Sequence, residues 1–142
     1  MLIDRHRIAE LIPHSGRMCL LDSASRWDDE SIACLATSHR RDDNPLRREG
    51  RLGAVCALEY AAQAMALHGA LTAAGHRRAA GGLLAAARDL VLHRERLDDA
   101  DPTLCIEARR VQGEASRVIY EFRVWDGRGT IAQGRAAVVL DA

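Results

Sequence analysis

Residues 51–75, RLGAVCALEYAAQAMALHGALTAAG, decide how this chain is read. They form the only long run with helical apolar spacing and almost no β-branched residues. Val55, Leu58, Ala62 and Met65 recur at steps of three and four, the stripe of a helix packed against something. Ala54, Ala57, Ala61, Ala64, Ala66 and Gly69 fill most of the remainder, so the helix is thin and lets other backbone come close. Two polar residues, Glu59 and Gln63, stand one turn apart on one face. A carboxylate in such surroundings is costly to bury without a partner, and desolvation pushes its pKa up towards that of a proton donor. The plainer alternative is a Glu that reaches solvent at the helix edge.

At 142 residues the chain reads as one domain, residues 1–142, long enough for a single core. Hydrophobic content is 48 % and formal net charge is zero, which argues against disorder and against a nucleic-acid surface. All 20 basic residues are arginine, which together with the abundant alanine reads as the codon bias of a GC-rich genome. No apolar run approaches the roughly 20 residues of a membrane span, and the first residues lack a signal-peptide core. A soluble, cytoplasmic protein is therefore expected. Cys19, Cys34, Cys56 and Cys105 are scattered without CxxC or metal-ligand spacing, and no metal or other cofactor is called for.

Outward from the helix, the pattern is regular. Asp4–Leu11 is a short helix candidate capped by Asp4, and Ile12-Pro13-His14-Ser15-Gly16 breaks it. Residues 18–27 and 31–39 read as a strand pair around Asp28-Asp29-Glu30, and Arg40–Gly50 as a charged loop. Beyond a helix stop at Gly75 and a polar connection over 76–82, four strands are expected: 82–96, 104–111, 117–125 and 130–140. Gln112-Gly113 and Asp126-Gly127 mark turns between them. One long helix against one antiparallel sheet of about six strands, with a short N-terminal helix, is an α+β layer pair. A sheet curled around a thin helix is the hot-dog arrangement.

In this order of elements the chain resembles the hot-dog 3-hydroxyacyl-(acyl carrier protein) dehydratases. Leu11-Ile12-Pro13-His14 followed by Met18-Cys19-Leu20-Leu21-Asp22 is similar to the family's LPH…LLVD entry, and Glu59-Tyr60-Ala61-Ala62-Gln63-Ala64 to its E-x-x-x-Q-A helix. Ala86-Ala87-Arg88-Asp89, Arg94 and Asp98–Asp101 are similar to the third strand and its following turn. The wording of 38–69 looks closest to dehydratase-like proteins of bacterial aryl polyene clusters. There is one departure: the H-F-P-G histidine of the family falls at Pro45, and Ala54 stands where a helix-start glycine is usual.

The resemblance implies dehydration of a 3-hydroxyacyl chain on an acyl carrier protein, with Glu59 as the acid. Such a reaction needs a base, an acid and donors for the thioester oxygen. His39 and His14 are the candidates for the base, each with a structural alternative. The backbone N–H groups near Gly53 and Ala54 suit the oxyanion, being unsatisfied at the positive end of a helix. Gln63 reads as an orienting partner, and Asn44 as a substrate donor or the start of the turn at Pro45. His6, His68, His76 and His93 read as surface or helix-packing residues. The resemblance also implies a dimer, either of this chain or with a second hot-dog subunit. A non-catalytic partner subunit and an acyl thioesterase are the competing readings. Arg40, Arg41, Arg47, Arg48 and Arg51 lie where they would steer an acidic carrier, or merely balance Asp42, Asp43 and Glu49.

Overall fold

Asp4 begins the architecture, as the end of a two-residue strand β1 (Ile3–Asp4) and the cap of helix α1 (Arg5–Leu11). Its carboxylate accepts the Arg7 N–H at 2.9 Å, satisfying one orphan donor of the helix. In the computed structural model, residues 2–14, 16–72, 83–113 and 117–139 are described. Strands β2 (Ser23–Trp27) and β3 (Ser31–Ala36) form a hairpin whose turn is tied by Asp28, which accepts the Glu30 and Ser31 N–H groups. The central helix α2 (Ala57–Thr72) follows, and then β4 (Leu83–Leu92), β5 (Leu104–Gly113), β6 (Arg117–Asp126) and β7 (Gly129–Val139). The helix stop expected at Gly75 and the connection over 76–82 lie outside the described residues.

Among the described residues, all strands belong to one antiparallel sheet of order β1-β2-β3-β5-β6-β7-β4. It has seven strands rather than about six, because β1 adds a short strand beside β2 that two residues of sequence do not announce. Period-2 alternation places Ile32, Cys34, Leu104, Ile106, Ala108, Tyr120, Phe122 and Val124 on the inner face, against α2. The β4 strand closes the order, with β7 its neighbour on one side. It bulges between Arg88 and Val91, where Asp89 takes φ 53°. Gly134 accommodates the bulge: a Cβ there would stand 3.1 Å from the Arg88 carbonyl and 3.2 Å from Leu90 Cα.

Several boundaries move for stated reasons. Regular β2 starts at Ser23, not Met18, because Met18 and Leu20 direct their backbone groups to a side chain of α2 instead of to a strand. Strand β3 stops at Ala36, and Ser38–Arg40 form a 3₁₀ turn that buries Ser38 and His39. Regular α2 starts at Ala57, after a 3₁₀ turn over Ala54–Cys56. Upstream, Gly53 bridges Arg96: the Ala54 N–H reaches the Glu95 carbonyl and the Leu97 N–H reaches that of Leu52. Gln112 and Gly113 remain in β5, paired with Ile119 and Val118, so they are strand rather than turn.

The apolar stripe of α2 also differs from the reading of the sequence. Met65 is buried, but Val55 is 53 % exposed, and Leu58, Ala62, Ala66 and Gly69 are only partly covered. The buried faces carry Ala57, Tyr60, Ala61, Gln63, Ala64, Leu67, His68 and Leu71. Alanine occupies both faces, so apolar spacing alone does not tell the packed side from the open one.

Candidate active site

The open face of α2 carries Glu59, which sits in the first turn with its side chain 34 % exposed. Over it folds the segment after α1, anchored by buried Leu11, Ile12, Leu20 and Leu21. Arg5 draws that segment down by donating to the Cys19 carbonyl at 2.7 Å. Gln63 does the same from the helix: its Oε1 accepts the Leu20 N–H at 2.9 Å and its Nε2 donates to the Met18 carbonyl at 2.6 Å. A backbone N–H only donates and a carbonyl only accepts, so the orientation of the Gln63 amide is determined.

This folding delivers His14 to Glu59. His14 Nε2 lies 3.2 Å from Glu59 Oε1, and Gln63 Nε2 donates to the same oxygen at 3.4 Å. Glu59 Oε2 has no hydrogen bond among the described residues. A carboxylate accepts, so it is an N–H on Nε2 that faces Glu59, while Nδ1 is buried without a partner. The Glu59 carboxyl is held below its ordinary pKa, first by the His14 hydrogen bond, against the upward push of burial, with Gln63 assisting. The expected upward shift is thereby corrected. Burial acts in that direction, but two donors outweigh it.

The other expected residues are placed differently. His39 is fully buried, not a surface loop residue, and its Nε2 is 2.7 Å from the Asp101 carbonyl. Burial lowers its pKa, and Nδ1 has no partner. Its bond ties the 3₁₀ turn to the β4–β5 connection, whereas Glu59 bonds to His14 and Gln63. Asn44 is buried, donating to the Ser38 carbonyl at 2.9 Å and the Tyr60 hydroxyl at 3.1 Å while its Oδ1 accepts the Leu46 N–H. Its amide is engaged inside the fold, the geometry of the alternative in which it starts the turn at Pro45. Ala54 is corrected, since its N–H is taken by the Glu95 carbonyl. The Cys56 N–H goes to the Gly53 carbonyl, leaving Gly53 and Val55 as the N–H groups not drawn into these bonds. They border an open groove of about 450 Å³ lined also by Leu92, His93, Arg94 and Glu95.

Arg94 holds that groove's far wall. Its guanidinium grips the wholly buried Asp126 carboxylate in two hydrogen bonds, and Asp126 also accepts the Asp101 and Arg128 N–H groups. These donors keep the Asp126 carboxyl far below its usual pKa. The loop arginines are largely engaged: Arg40 donates to Ala100, Arg41 pairs with Asp43, and Arg47 donates to the Arg41, Gly50 and His39 carbonyls. Among the described residues no three His, Cys, Asp or Glu side chains gather as a metal site requires, and no helix is long and apolar enough to cross a membrane.

Tyr60 and Ser38, buried polar partners beside the site, were not singled out from the sequence. The available signal was a lone tyrosine on an alanine-rich helix.

Comparison with known proteins bears on this arrangement. The sequence profile of the ApeP-like family, described as ApeP dehydratase, matches residues 6–141. Among solved structures, the dehydratase heterocomplex ApeI:P from Xenorhabdus doucetiae is similar at TM-score 0.80 and 18 % identity, over 95 % of this chain and 91 % of that one. A hypothetical thioesterase with coenzyme A from Streptococcus pneumoniae TIGR4 is similar at TM-score 0.58 and 10 % identity, over 84 % of each chain. The PaaI protein from E. coli is similar at TM-score 0.60 and 12 % identity, over 95 % and 88 %. No curated protein matches the chain.

Proposed function

This chain belongs to the ApeP-like family of dehydratases, and from that premise we propose that it supplies Glu59 to a dehydratase site shared with a second hot-dog subunit. The substrate class is a 3-hydroxyacyl thioester on an acyl carrier protein, in aryl polyene synthesis. The observation that carries the reading is the Glu59–His14 pair, set on the open apolar face of α2. An apolar helix face left partly uncovered among the described residues is where a second subunit buries surface. The similar ApeI:P structure is itself a heterocomplex.

In the reaction, a base takes the proton from the α-carbon and the C–H electrons form the double bond. The Cβ–O bond breaks, and the departing hydroxyl receives a proton and leaves as water. Glu59 is the acid in this scheme. His14 and Gln63 stabilise the carboxylate left behind, which makes Glu59 a stronger acid. Covering by the second subunit removes water and moves its pKa back up, towards the range where it holds a proton to give. The base comes from the second subunit, since Pro45 stands at this chain's usual position for it and His39 is locked to Asp101. Gly53 and Val55 N–H groups are the oxyanion donors.

Mass spectrometry of a carrier-bound 3-hydroxyacyl substrate, incubated with the chain and a cognate hot-dog subunit, tests the reading. Loss of one water with the thioester intact is expected. Release of a free thiol without water loss would instead make the chain a thioesterase.

A further inference from the structure

Tyr60 precedes no obvious role in the chemistry, yet its hydroxyl sits at the centre of a directed chain of hydrogen bonds. Asn44 Nδ2 donates to the Tyr60 hydroxyl at 3.1 Å. The Tyr60 and Ser38 oxygens are 2.8 Å apart, and Ser38 Oγ donates to the Leu20 carbonyl at 2.7 Å. Ser38 has one proton, which that carbonyl takes, so Tyr60 donates to Ser38. The order is therefore Asn44 to Tyr60 to Ser38 to the Leu20 carbonyl. The chain ends there, but the same residue is held again through its preceding peptide group, whose N–H donates to Gln63 Oε1, and Gln63 Nε2 donates to Glu59. Tyr60, Leu20 and Gln63 are all fully buried, so no water competes for these groups.

We propose that Tyr60 is a positioning residue for Glu59, acting through Ser38, the Leu20 backbone and the orientation of the Gln63 amide. The inference rests on the reading of Glu59 as the proton-transfer group. Removing the hydroxyl leaves Ser38 free to turn from Leu20 and lets the covering segment shift. Gln63 then loses one of the two backbone contacts that orient its amide, with the Met18 carbonyl holding Nε2 as the other. The chain also links the two neighbours of Glu59, because the segment that Leu20 anchors is the one that carries His14. Among the described residues, the titratable groups bearing on Glu59 are His14, from the segment after α1, and Cys56, from the turn leading into α2.

The test compares Tyr60→Phe and Ser38→Ala with wild type by NMR titration of the Glu59 carboxyl in the full chain, and by kcat and KM of the two-subunit complex. Met65→Ala, which loosens α2 without touching these bonds, is the stability control. In both hydroxyl variants the Glu59 titration moves to higher pH. kcat falls roughly three- to tenfold, the size of one lost hydrogen bond, and KM changes little. Met65→Ala lowers the melting temperature and leaves the titration in place. A Glu59 titration unmoved in both hydroxyl variants, with Glu59→Gln inactive, overturns this inference alone. Full activity in Glu59→Gln overturns the reading of Glu59 and the inference with it.

Discussion

At the scale of single residues, Glu59 and His14 act as one unit. The carboxyl is acidified by a donor that arrives from another part of the chain, through a contact that no local motif encodes. His14→Ala removes the largest downward influence, so the Glu59 carboxyl titrates at higher pH in that variant, read by the same NMR experiment. His39 is the opposite case. His39→Ala leaves kcat within about threefold but costs about 1–3 kcal/mol in chemical denaturation, because it vacates a buried, hydrogen-bonded site. Both His39 and His68 have pKa values lowered mainly by burial from the ordinary 6.5. Folding therefore excludes their protons. Stability is greatest above pH 6.5 and falls as pH drops through that value towards the lowered folded values. A melting temperature that stays level on acidification from about pH 7.5 to 5.5 would contradict this linkage. The sequence made Glu59 and Gln63 legible as a helical pair, since their spacing alone puts them on one face. It put His39 ahead of His14 as the base, because both lie beside irregular turns whose course depends on tertiary bonds to Gln63 and Asp101 that spacing does not reveal.

At the scale of elements, α2 has two kinds of face. Met65→Ala on a buried face costs about 2–4 kcal/mol, the usual result of emptying a core site. Ala62→Glu or Ala66→Glu on the open face leaves the melting temperature of the isolated chain within a few degrees, yet prevents association with the second subunit. Size-exclusion chromatography separates the two effects, and undiminished association would rule out this face as the interface. Asp126→Asn breaks the grip on Arg94 and costs about 3 kcal/mol, measured by urea unfolding, since a charge beside a buried site is left unpaired. The strands were legible from alternation and from Asp126-Gly127. The open side of α2 was not, because alanine serves a buried face and an uncovered one equally well. The missing piece of information was the rest of the molecule.

At the scale of the whole molecule, the sheet wraps one flank of α2 and the segment after α1 covers another. Among the described residues, the remaining flank is only partly covered and β4 has β7 as its one strand neighbour. On the proposed reading, that incompleteness fits a chain that supplies Glu59 and has Pro45 where the family's loop histidine stands. The polar network holds Glu59 against His14 and Gln63, and the proposed second subunit would close the site over the substrate.

The most direct measurement is water loss by the assembled two-subunit complex, prepared once with the wild-type chain and once with Glu59→Gln. Native mass spectrometry shows that both complexes are intact. The account predicts rapid dehydration of the carrier-bound 3-hydroxyacyl substrate by the first, and a loss of at least about a hundredfold in the second, as expected for removal of a general acid. Equal rates from the two intact complexes would contradict it, and would place the acid as well as the base in the other subunit.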